Sequence, residues 1–340
     1  MADGRRPTQR EIAIKLGLST ATVSLALRDS PMIAAATRRL VREAIAETGY
    51  VYNVAAAALR TGRTRIVGVS FHNIAHQFFA EMLIAIEETL SAAGVAVFIN
   101  NHGEDPKSLA RFIGSLAAYG ADGLIVSPPP YVTVEALRPI RERGVPIVYT
   151  SRHIRDDDAA DRVVNADKLA MRRAAGRLIE LGHRNLVLLG GQPGTTVAED
   201  RAAGFRCELE AAGIPWSETL WLQCRPRLLE GAEAARGALG LKPRPTGFVC
   251  FNDLVAFGAM NALRASGLEP GRDVGVVGIG GTDEAAAFYP ALTTVLDNPA
   301  KSGRMAAELL LRRIADPGMA PEHLTLEPKL VIRESCGGPR

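Results

Sequence analysis

Cysteine is scarce in this chain: Cys207, Cys224, Cys250 and Cys336 are the four among 340 residues. No two stand at CxxC spacing, which argues against a disulfide framework or a zinc finger; reduced, structural thiols in a cytoplasmic protein are the expectation. No apolar run reaches transmembrane length, and the N-terminus lacks the apolar core of a secretion signal, so no membrane partner is expected. The GxGxxG and GxxxxGK[ST] patterns are missing. "GGQPG" and "GIGG" do not replace them, so no nucleotide cofactor is expected. No Ser-His-Asp set, paired carboxylates or metal-ligand cluster can be located, which argues against an enzyme. His72 and His76 are four apart but follow a strand, so they read as cleft lining rather than metal ligands. "DDDAAD" at 156–161 lacks EF-hand spacing and reads as a solvated loop.

What is present is an uneven charge. The chain carries +3 overall, yet residues 1–65 hold eleven Lys/Arg against five Asp/Glu, a local +6. A small basic head on a mildly acidic body suits a polyanion-binding module on a carrier. Its length implies two or three domains.

Residues 8–48 read as three short helices. Thr8-x-x-Glu11 forms a capping box for the first, Ser19 caps the second, and the third runs from Ala35 to Thr48 and stops at Gly49. After residue 65, strand-like runs ("IVGVSF", "VAVFIN", "GLIVS", "PIVYT", then "LVLLGG", "TGFVCF", "VGVVGI") alternate with amphipathic helices. Alternation of this kind predicts parallel sheets covered by helices. The pattern restarts near residue 166, so two doubly wound α/β lobes facing a cleft are expected, with ligands beyond the carboxyl ends of the strands. The tail "LTTVLDNP" through "LTLEPKLVIRES" is expected to cross back between the lobes.

Ala13, Gly17 and Val23 have the spacing of a helix-turn-helix. Gly17 permits the tight turn, and Val23 with Ile12 and Leu18 fills the small core. Ser19, Thr20, Ala21, Thr22 and Ser24 then line the outer, N-terminal part of the second helix, the end that reaches base edges in the major groove of double-stranded DNA. Hydroxyls can bond bases or phosphates, and Ala and Thr methyls can pack on thymine methyls.

"REIAIKLGLSTATVSLAL…TRRLVREAIAETGYVYNVAAAALRTGRTRIVGV" resembles the head of the lactose-repressor (LacI) family of bacterial transcription regulators. The resemblance continues through "FFAEMLIAIEETLSAAG", "DGLIVSP", "LIELGHRNLVLLGG", "DRAAGF", "FNDLVAFGAM" and "PALTTV". It implies a homodimer whose heads read a pseudo-palindromic operator in the nucleoid, and a core of periplasmic-binding-protein type with a small-molecule effector between its lobes. Operator affinity is then under allosteric control, most simply as a repressor. The implied division is a helix-turn-helix head over 1–52, a hinge helix and linker over 53–64, and an effector core over 65–340. Its N-lobe takes about 65–165 and 297–325, and its C-lobe about 166–296 and 326–340. In the hinge, Asn53 caps, Ala56 packs in the minor groove and Leu59 wedges the central base step. Such a two-turn helix is too short to be stable alone, so it can fold with binding. Thr8 and Leu25 complete the implied DNA contacts. Leu25 departs from the family's frequent arginine, leaving the operator sequence open, and Ala34 replaces the usual hydroxyl cap of the third helix. A transport-type solute-binding protein is the alternative sharing this core, but it would carry no basic head.

For the effector, the resemblance implies Phe78 and Phe79 as lining aromatics, with a core role the alternative for Phe79; Arg201 as a ligand-gripping fork, with an ion pair the alternative; and Asn252 with Asp253 as a hydroxyl-binding pair. Gly280 replaces a frequent carboxylate, and Ser151 replaces the Asp that often precedes Arg152. Arg225 and Pro226 stand where Asp and an aromatic are frequent, so the cleft is expected to lose carboxylates and gain a cation, which suggests a sugar acid or sugar phosphate over a neutral sugar; a purine stays open.

Overall fold

Three short helices open the chain: α1 (Gln9–Leu16), α2 (Thr20–Leu27) and α3 (Ala35–Thr48). The structure is a computed structural model and describes residues 7–27, 30–50 and 62–337. The Thr8–Glu11 capping box is formed, with Glu11 N donating to Thr8 Oγ1 at 3.3 Å and Thr8 N to Glu11 Oε2 at 2.6 Å. Gly17 takes φ +63°, a left-handed conformation that other residues adopt at a cost, and so turns α1 into α2. Ile12, Ala13, Val23, Ala26, Val41 and Ala44 form a common core. Burying each of its larger side chains is worth about 2 kcal/mol. Lys15 Nζ lies 2.6 Å from Glu47 Oε2, tying α1 to α3 at the surface. As expected, Ala34 gives α3 no side-chain cap, while Gly49 closes it at φ +64°.

Residues 1–64 form one unit and 65–340 another. In the second, strands and helices alternate. β1 (Ile66–Phe71), α4 (Gln77–Ala92), β2 (Ala96–Asn101), α5 (Pro106–Tyr119), β3 (Gly123–Val126), the single turn α6 (Arg138–Arg141), β4 (Ile147–Thr150) and β5 (Asp161–Asn165) build the first lobe. α7 (Asp167–Glu180), β6 (Leu186–Leu189), α8 (Thr196–Ala211), β7 (Trp221–Leu222), α9 (Leu228–Ala238), β8 (Gly247–Cys250), α10 (Asp253–Ala265), β9 (Gly275–Gly280), α11 (Asp283–Ala287) and β10 (Thr293–Leu296) build the second. α12 (Pro299–Ala315) and β11 (His323–Leu326) return to the first lobe, and β12 (Lys329–Val331) to the second.

The sheets run β11-β5-β4-β3-β1-β2 and β12-β10-β9-β8-β6-β7. All pairings are parallel except β10 with β12. β3, β4, β6 and β8 are buried along their whole lengths, as strands covered on both faces must be. The chain passes between lobes three times: β5 to α7, β10 to α12, and β11 to β12. α12 lies against α4, where a Cβ on Gly303 would stand 2.3 Å from the Met82 carbonyl oxygen. Only glycine allows that approach.

α6 is a single turn with Pro139 in its first-turn position, where proline is tolerated. One expectation fails here. The "DDDAAD" segment is not simply solvated. Asp157 is 2% exposed and accepts from Tyr149 Oη at 2.6 Å and from Arg141. Asp161 begins β5 and holds Arg313 through two bonds of 2.8 and 2.9 Å. The partner that buries it comes from α12, far along the chain.

Candidate functional sites

The first candidate is the exposed side of α2. Ser19 Oγ accepts from Thr22 N at 3.0 Å and lies 2.8 Å from Thr22 Oγ1, so it caps the helix. Ser19, Thr20 and Ala21 are exposed, and Thr22 and Leu25 are half-buried. Ser24 is a correction: at 5% exposure it lies inside with Val23 and Ala26. α2 packs against both α1 and α3, which widens its buried sector beyond a single stripe. Thr8 spends its hydroxyl on the α1 cap. Asn53, Ala56 and Leu59 lie outside the described residues. Arg10 and Arg39 are exposed on the same head, Arg39 within 3.7 Å of Glu43.

The second candidate is a cavity between the lobes, at the carboxyl ends of both sheets. Its interior volume is about 120 Å3, and it opens to solvent. The loop after β1 contributes His72 and His76, and α4 contributes Gln77, Phe78, Phe79 and Glu81. Ser151 and Arg152 follow β4, and Asn165 ends β5. From the second lobe come Asp167, Arg201, Phe251, Asn252, Asp253, Gly280 and Thr282. Asp297 and Pro299 stand on the β10–α12 crossing.

Each expected residue reaches this wall, but several are already engaged. Phe79 is 5% exposed and packs on Phe71, with ring centroids 5.1 Å apart; it is chiefly a core residue with one edge at the cavity. Phe78 meets it edge-on at 5.0 Å. His76 caps α4 by accepting from Phe78 N. Asn252 caps α10: Oδ1 accepts from Val255 N at 3.0 Å and Nδ2 donates to Pro226 O at 3.3 Å. Asp253 is 2% exposed and accepts from Gly281 N, Thr282 N and Thr294 Oγ1 at 2.7, 3.1 and 2.6 Å. Its first task is therefore to clamp the loop after β9. Burial nonetheless raises its pKa. At Gly280, a Cβ would stand 3.2 Å from Asp253 Oδ2.

Arg201 and Arg152 overturn the expectation of a carboxylate-poor, cationic cleft. Arg201 Nε donates to Asp167 Oδ1 at 2.7 Å, Nη2 lies 3.5 Å from Asp297 Oδ2, and Nη1 donates to Phe251 O. Its guanidinium covers the Phe251 ring at 4.7 Å. Arg152 makes a two-pronged pair with Glu104, 2.8 and 3.0 Å. Both cations are thus neutralised, and Glu81, Asp167, Asp253 and Asp297 all line the cavity. Sequence reasoning missed Asp167 and Asp297 because the two interlobe crossings bring them in. The readable signal was an acid placed just after a strand.

Burial pushes Asp297 up to about 7, with Asp167 and Asp253 adding to the rise and Arg201 opposing it. Burial likewise raises Asp167. His72 is held well below its usual value, first by burial and then by the Arg152 charge, so it is neutral at pH 7. Five buried polar atoms on this wall have no partner: His72 Nδ1, Gln77 Oε1, Asn165 Oδ1, Thr282 Oγ1 and Asp297 Oδ1. A buried polar group left unpaired costs about 1–3 kcal/mol, so such a cluster favours a ligand with several hydrogen-bonding groups. Among the described residues no group of three His, Cys, Asp or Glu could hold a metal ion. No described helix is long and apolar enough to cross a membrane.

Residues 8–53 match the family model "Bacterial regulatory proteins, lacI family", and residues 175–336 match "Periplasmic binding protein-like domain". The chain is 33% identical to the HTH-type transcriptional regulator CelR of Thermobifida fusca, over 97% of this chain and 98% of the relative. It is 29% identical to the maltose regulon regulatory protein MalI of Escherichia coli K12, over 97% and 99%. A solved complex of CelR with cellobiose superposes with a TM-score of 0.74 at 30% identity, covering 97% of this chain and all of that one. The lac repressor dimer bound to operator shares the fold with a TM-score of 0.84 at 24% identity, covering 97% and 99%.

Proposed function

The chain belongs to the lacI family of bacterial regulatory proteins, and from that premise we propose that it is a homodimeric, operator-binding regulator released or engaged by a neutral sugar. Its relatives are transcriptional regulators, not enzymes. In this reading Ser19, Thr20, Ala21, Thr22 and Leu25 face the bases of a half-site, and basic residues of the head meet phosphates. Asn53, Ala56 and Leu59 form the hinge that enters the minor groove between half-sites. Two heads related by a two-fold axis require a pseudo-palindromic site, and the protein acts at the nucleoid in the cytoplasm.

The observation that carries the effector class is the set of five unpartnered buried polar atoms around a cavity that also holds Phe78, Phe79 and Phe251. Hydroxyls pair with the polar atoms and the apolar sugar face meets the rings. Because Arg152 and Arg201 are already neutralised, the acidic sugar expected from sequence gives way to a neutral one. The cellobiose complex of CelR supports the same class. A sugar touching both lobes favours one lobe angle, and operator affinity changes in proportion to its preference. The coupling is reciprocal: operator DNA changes sugar affinity by the same factor.

A thermal-shift screen of neutral mono- and disaccharides, sugar acids, sugar phosphates and purines tests this, since a ligand of the native state raises its apparent stability. A neutral sugar that shifts the melting temperature and alters operator binding is expected. Shifts by purines or sugar phosphates alone would overturn the assignment.

A further inference from the structure

The geometry points to Glu104 as the residue that makes the cavity select neutral over anionic ligands, by neutralising Arg152 from outside the cavity lining; this rests on the reading of the cavity as the effector site. Arg152 lines the cavity and Glu104 does not. The Arg152 side chain is 6% exposed, and both prongs of its guanidinium meet the Glu104 carboxylate. A charge so buried is tolerated only when paired.

The loop around Glu104 is built to hold that pair. His102 is buried and its Nε2 meets Ser127 O at 2.9 Å, which leaves Nδ1 to accept from Glu104 N at 3.2 Å. Glu104 itself takes φ +68°, a left-handed conformation costly for a residue with a Cβ. The next residue, Asp105, starts α5 as its cap. His72 Nε2 stands 3.8 Å from Glu104 Oε1 but is neutral near pH 7, so it does not draw the carboxylate from Arg152.

The selection follows from charge. An anionic ligand must take Arg152 from Glu104 in a wall that also bears Asp167 and Asp297 near the other guanidinium. Glu104→Gln keeps the shape and one acceptor oxygen but removes the charge. Arg152 is then a buried cation that a ligand carboxylate can satisfy. Glu104 acts through Arg152 and is a positioning residue.

The test uses full-length protein and calorimetric titration with two matched pairs, D-glucose against D-glucuronate and cellobiose against cellobionate. In Glu104→Gln, affinity for at least one acid rises on the order of 10- to 100-fold over wild type, the worth of one charge-assisted hydrogen bond. Neutral partners change by less than about threefold, within the scatter of an unaltered contact. Adding Arg152→Met removes the gain, which a merely structural role would not do. Should Glu104→Gln fail to fold, Glu104→Asp, which lengthens the pair, shows the same gain in smaller measure. No gain for either acid, or a gain that survives Arg152→Met, overturns the role of Glu104. Failure of wild type to bind either neutral sugar counts instead against the effector class, and the acid comparison still decides on Glu104.

Discussion

Replacing Arg201 with methionine separates a ligand-gripping role from a structural one. The side chain is 7% exposed and holds Asp167 and Asp297, which sit on two of the three interlobe crossings. Methionine fills much of the volume but leaves two buried carboxylates facing each other without a cation. Breaking a buried pair in this way costs about 3–5 kcal/mol. At about 2–4 °C per kcal/mol for a large domain, the melting temperature should fall by about 6–20 °C at pH 8. The pH dependence has a definite sign. Carboxyls whose native pKa is raised are favoured when protonated, so the loss is largest at pH 8 and shrinks toward pH 5. Thermal unfolding by circular dichroism at both pH values measures it. A fall of less than about 3 °C at pH 8, roughly 1 kcal/mol, or an equal fall at both pH values, would refute the structural role.

Asp297→Asn gives the complementary pH test. Asp297 is pushed up to about 7 from an ordinary 3.8, so the native state binds the extra proton between those values and wild-type stability falls as pH rises through that window. The stability of Asp297→Asn relative to wild type should therefore climb from pH 4 to 7 and level off above; a pH-independent difference in melting temperature contradicts this. Thr20→Ala with Thr22→Ala should weaken operator binding on the order of tenfold or more while leaving head stability intact. Ser24→Leu should instead overpack the head core by about 1–3 kcal/mol, read as faster hydrogen exchange of the head amides. Ala34→Ser should supply the missing cap of α3 and slow exchange in its first turn by up to about 1 kcal/mol in opening free energy.

The sequence made the architecture legible where the pattern is local. The capping box at Thr8 and Glu11, the Gly17 turn and the closing Gly49 appear where expected. The strand runs after residue 65 do too, because apolar runs bounded by turns carry their own period. What was not legible depends on residues far apart in the chain. Asp161 looked like loop until Arg313 reached it. Ser24 looked like a DNA contact, but packing against two helices rather than one turned it inward. Arg201 read as a ligand-gripping fork, and Arg152 as an arginine left without its usual neighbouring acid, because their partners, Asp167, Asp297 and Glu104, arrive from other elements. The charge of the cavity is a property of those pairs and not of any single motif.

The most direct measurement is fluorescence anisotropy of a labelled operator duplex, titrated with the full-length protein at several salt concentrations, with and without the sugar found by thermal shift. The account predicts specific binding whose affinity falls steeply with salt, as phosphate contacts require, and changes at least several-fold with the sugar. Sugar binding with no effect on operator affinity, or binding to every duplex alike, would contradict it.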